Sequence, residues 1–73
     1  MTQEQAAKIR ALAGQVTLDR VYEHAAMCDF HVAAVRDHPS AVDLRDIHDR
    51  ALERYEQSRK DFLAYLDSLT EKA

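Results

Sequence analysis

Four side chains in this sequence have the chemistry of transition-metal ligands: His24, Cys28, His31 and His48. The first three follow one another at intervals of four and three residues. On a helix that spacing sets imidazole, thiol and imidazole along one side, as a tetrahedral zinc or similar site requires. In an antiparallel hairpin closing at Pro39, position 31 faces about position 47, so His48 is the candidate fourth ligand from the opposite arm. Against the metal reading, the set holds one thiol and no Cys-x-x-Cys pair. A free cysteine on an apolar stripe behaves as a small hydrophobe, and histidines at the edge of such a stripe are commonly half exposed. The pattern therefore favours Cys28 as a packed residue and no cofactor, with a metal-binding or metal-responsive protein as the alternative.

Asp29 is the second candidate. It falls among Tyr22, Ala25 and Val32 on the most apolar stretch of the chain. A carboxylate buried there without a partner is costly, so a base must meet it. Arg50 and Arg54 stand on the opposite arm at the right height, and the expectation is a buried ion pair that fixes helix register. For nucleophilic catalysis the chain offers Cys28 with neighbouring histidines, but a hairpin of this size offers no evident pocket or oxyanion hole, so no enzymatic activity is expected.

The elements that hold these residues follow from the breaker residues. The chain of 73 residues has one proline and one glycine, and it is rich in Ala, Leu, Arg and Glu, which specifies a single all-helical domain over 1–73. Pro39 lacks the N–H that an interior helical residue needs and disfavours the α conformation at His38, so a helix must stop there. Ser40 can cap the next one, with Asp43 three residues on as an acidic capping-box partner. Thr2 is placed to cap a first helix.

Apolar spacing divides the chain before the proline in two. Ile9, Leu12 and Val16 form one stripe; Leu18, Val21, Ala25, Cys28, Val32 and Val35 form another, spaced by three and four as a packing seam requires. On one continuous helix the two stripes lie on nearly opposite faces. A break at Gly14, with Thr17 capping the next helix, resolves the conflict and predicts helices over about 3–13, 17–37 and 40–70. The alternative is a single long helix with Gly14 as a tolerated weak point. The last helix carries Leu44, Ile47, Ala51, Tyr55, Ser58, Phe62, Tyr65, Leu66 and Leu69 inward, and at 1.5 Å per residue it reaches about 43 Å, past its hairpin partner.

That overhang, with Met27 and Phe30 off the main stripe, leaves apolar surface that one short and one long helix cannot cover. The expected assembly is a homodimeric bundle whose interface includes Val21, Met27, Phe30, Phe62, Tyr65, Leu66 and Leu69. Thirteen acidic against ten basic residues leave a net charge of −3 with no basic cluster, which argues against a nucleic-acid partner. No apolar run reaches the roughly 20 residues of a membrane span, and the single cysteine suits a reducing compartment, so a cytoplasmic location is expected. The functional expectation is a small protein-binding module, an adaptor, regulator or inhibitor, whose partners are a second copy of itself and another protein.

Overall fold

Thr2 starts the first helix as its type suggests. The N–H of Gln5 donates to Thr2 Oγ1 (3.1 Å) and the N–H of Thr2 donates to Gln5 Oε1 (2.9 Å), so a full capping box satisfies donors that a helix end otherwise leaves free. In the computed structural model, which describes residues 1–71, this helix does not stop at Gly14. It runs from Gln3 to Val35 as α1, 33 residues, and a second helix, α2, runs from Ala41 to Glu71. The two pack against each other as a hairpin 54 Å long and 18 by 13 Å in cross-section. No strand occurs among the described residues, and no described helix is long and apolar enough to cross a membrane.

The separate N-terminal helix expected from the sequence is therefore absent, and the reason lies in two residues. Thr17 does not cap a new helix; its hydroxyl donates back to the carbonyl of Ala13 at 3.0 Å, inside α1. Gly14 costs a helix about 1 kcal/mol relative to alanine, whereas a break would free up to four N–H and four C=O groups. The unbroken helix wins. One consequence is that the first half of α1 covers the far end of α2, where the sequence pattern predicts an overhang: Lys8 Nζ sits 4.5 Å from the centre of the Tyr65 ring.

The turn is set two residues before the proline. Asp37 takes a left-handed conformation, φ 51°, while the N–H of His38 donates to the carbonyl of Ala33 (2.9 Å) and that of Asp37 to Ala34 (3.1 Å). This is the Schellman closure of a helix, with aspartate where glycine is usual. Ser40 then turns to its neighbour: its N–H donates to His38 Nδ1 (3.1 Å) and its Oγ lies 2.8 Å from the same nitrogen, in place of the expected cap on Asp43.

Two substitutions check this account. A Cβ built at Gly14 meets nothing within 4 Å, so Gly14→Ala is expected to stabilise the protein by about 1 kcal/mol in urea titration; a break at this position would instead make alanine neutral or harmful. Asp37→Val, which forces a β-branched residue into the left-handed region, is expected to cost about 1–2 kcal/mol, while Asp37→Gly is tolerated.

Candidate protein-binding face

With α1 continuous, the stripe that meets α2 is Ile9, Leu12, Val16, Asp19, Glu23, Met27, Phe30 and Ala33, each at least half buried and three or four residues from the next. The centre of the seam is thus acidic. Asp19 is 2% exposed and Glu23 5%, against 7% for Ala33, the one buried apolar residue among the described ones. Asp19 Oδ1 accepts from Gln15 Nε2 at 3.0 Å. Glu23 Oε1 accepts from Arg20 at 3.2 Å, and the Arg20 guanidinium lies 5.2 Å from the centre of the Tyr55 ring on α2. The second oxygen, Glu23 Oε2, stands 4.0 Å from His48 Nε2, and both atoms are buried without a hydrogen-bond partner.

The apolar residues expected to face α2 point elsewhere. Leu18 (50% exposed), Val21 (60%) and Val32 (52%) lie on the outside of α1, and Cys28 with them is exposed. This corrects the expectation of a packed Cys28: four residues from Asp19 to Glu23 set the inward direction, and Cys28 is turned well away from it. On α2, Ile47 is also 53% exposed.

Between these outward residues runs a shallow groove of about 440 Å³ along one broad face of the hairpin. Its α1 wall is formed by Asp19, Tyr22, Ala25, Ala26 and Asp29. Its α2 wall is formed by Leu44, Ile47, Arg50, Ala51 and Arg54. Asp29, Arg50 and Arg54 do meet at one groove, as their positions in the sequence suggest, but all three are exposed. The ion pairs within 4.0 Å among the described residues are Arg20–Glu23 and His48–Glu23, so the buried pair between Asp29 and Arg50 or Arg54 does not form.

The metal-ligand set is likewise dispersed. His24, Cys28 and His31 are exposed on α1, where the His31 ring sits 5.8 Å from that of Phe30, while His48 is half buried against Glu23. Among the described residues no group of three or more His, Cys, Asp or Glu side chains is placed to hold a metal ion. Of the residues expected at an interface, Met27, Phe30, Phe62, Tyr65, Leu66 and Leu69 are half buried along the seam between α1 and α2, and Val21 lies on the free surface. Asp19 and Glu23 escaped the sequence reading because their charge hid them; the signal was their spacing, which continues the Ile9, Leu12, Val16 stripe without a skip. The sequence matches no protein-family model, and no curated protein or solved structure shows significant similarity to it.

The Glu23–His48 contact generates a test. Replacing one member of a buried polar pair strands the other, whereas replacing both with apolar residues of similar size is often stabilising. Glu23→Leu with His48→Leu is expected to raise stability by about 1–4 kcal/mol in urea titration, and Glu23→Leu alone, which strands the buried His48 Nε2, to lower it. A double variant that unfolds more readily than the parent would mean that the pair determines how the helices align.

Proposed function

We propose that this chain is a small cytoplasmic protein-binding module, an adaptor, regulator or inhibitor without catalysis of its own, that acts as a homodimeric helical bundle. The observation that carries this reading is the absence of a hydrophobic core within one hairpin. No large side chain among the described residues is fully buried, and Leu18, Val21, Tyr22, Val32 and Ile47 are left half open to water or more. A small domain is marginal even with a complete core, and monomers seldom expose a connected apolar face. Two copies bring four helices together and supply the missing cover, as helical bundles do. The assembled bundle then presents an outer surface of mixed charge, suited to binding a second protein.

Light scattering coupled to size exclusion tests the assembly. At micromolar concentration the expected mass is twice the 8.4 kDa of the chain, with a melting temperature that rises with concentration. A folded species of 8.4 kDa whose melting is independent of concentration would overturn the proposal. For the second partner, a protein captured on the tagged dimer should re-form a complex of fixed stoichiometry from purified components; failure to do so would remove the adaptor reading and leave the bundle.

A further inference from the structure

This inference rests on the self-association proposed above and concerns the face and direction by which it occurs. We propose that the groove is filled by the same groove of a second copy, with the two turns at the same end, so that α1 of each hairpin runs antiparallel along α2 of the other.

The groove's two walls carry opposite charge. On the α1 side stand Asp29, which is exposed, and Asp19, which is only 2% exposed; on the α2 side stand the exposed bases Arg50 and Arg54, with no ion pair across the groove within 4.0 Å. A face that is acidic along one edge and basic along the other is complementary to itself in one of its two symmetric pairings. With the two-fold axis along the hairpin, the α1 wall of one copy meets the α2 wall of the other, acid against base. With the axis across the hairpin, α1 meets α1 and α2 meets α2, which sets like charges together at a cost in affinity.

Heights along the bundle agree with the first pairing. The contacts Lys8–Tyr65, Arg20–Tyr55 and Glu23–His48 fix which residues of α1 and α2 stand level with one another, and they put Asp19 level with Arg54. Rotation about an axis along the hairpin preserves height. Arg54 of the second copy therefore comes level with Asp19, whose carboxylate stays buried beside Gln15, and Arg50 of that copy falls between the heights of Asp19 and Asp29. Tyr22, Ala25 and Ala26 of one hairpin then close on Leu44, Ile47 and Ala51 of the other, and the small alanines permit close approach of the helices. The broad side of the hairpin measures 54 by 18 Å, so the roughly 800 Å² per partner that a stable interface takes must extend along that side beyond the groove.

The experiment places a spin label at the exposed start of α1, through Glu4→Cys in a Cys28→Ser background, and measures the label-to-label distance on material whose mass is determined in the same run. Labels at the same end of a four-helix bundle stand about 20 Å apart or less, given helix spacings of about 8–10 Å. Turns at opposite ends would separate them by most of the 54 Å length. Arg50→Asp with Arg54→Asp should weaken the dimer at least about tenfold, or unfold it at low concentration, and adding Asp29→Arg should restore much of it. A dimer with a long label distance, or one with a short distance that ignores these charge changes, overturns the inference while the dimer stands. A folded monomer overturns the self-association itself.

Discussion

Two helices share a single seam, and whatever a hairpin buries it must bury there. This chain places Asp19 and Glu23 at the middle of that seam, on α1, with Glu23 beside His48 of α2. Acidic groups at the centre of so thin a structure cannot supply hydrophobic stabilisation, and the hydrogen bonds from Gln15 and Arg20 only offset part of their desolvation. The remaining inward apolar residues are half buried, so each delivers a fraction of the roughly 1.5–3 kcal/mol that complete burial of a large side chain brings.

The continuity of α1 determines where the shortage appears. Because the helix passes through Gly14 without a break, Ile9, Leu12 and Val16 face α2, and Leu18, Val21 and Val32 rotate outward. A break would have let both stripes face inward, at the cost of freed backbone groups at two new helix ends. The unbroken helix keeps its hydrogen bonds and exports its apolar surface. That surface borders the groove, so the same local choice that completes the backbone ladder creates the face by which we propose that a second copy attaches.

Much of this was legible before any coordinates. The corner at Pro39, the Thr2 cap and the inward face of α2 at Leu44, Ala51, Tyr55, Ser58, Phe62, Tyr65, Leu66 and Leu69 follow from residue types and spacing, and the structure places them as expected. Ile47 was the exception, turned to the groove instead of the seam. What the pattern could not convey is which of two stripes on α1 packs. Apolar identity pointed to Leu18, Val21 and Val32, while the packed positions include two carboxylates. The left-handed turn at Asp37 was hidden for a similar reason, since aspartate does not announce a conformation that glycine would. Asp29, Arg50 and Arg54 were brought to one site by helical geometry, but pairing also depends on the width of the gap between walls, which spacing along a chain does not encode.

The central claim is that one hairpin lacks the burial to hold itself together and that folding and assembly are one event. Far-UV circular dichroism followed down a dilution series, beside sedimentation of the same samples, tests it most directly. The account predicts that helical signal falls as the chains separate, with both transitions centred at the same concentration. A separated chain that keeps its full helical signal and melts cooperatively would contradict it, and would show that the polar seam around Asp19 and Glu23 stabilises the hairpin on its own.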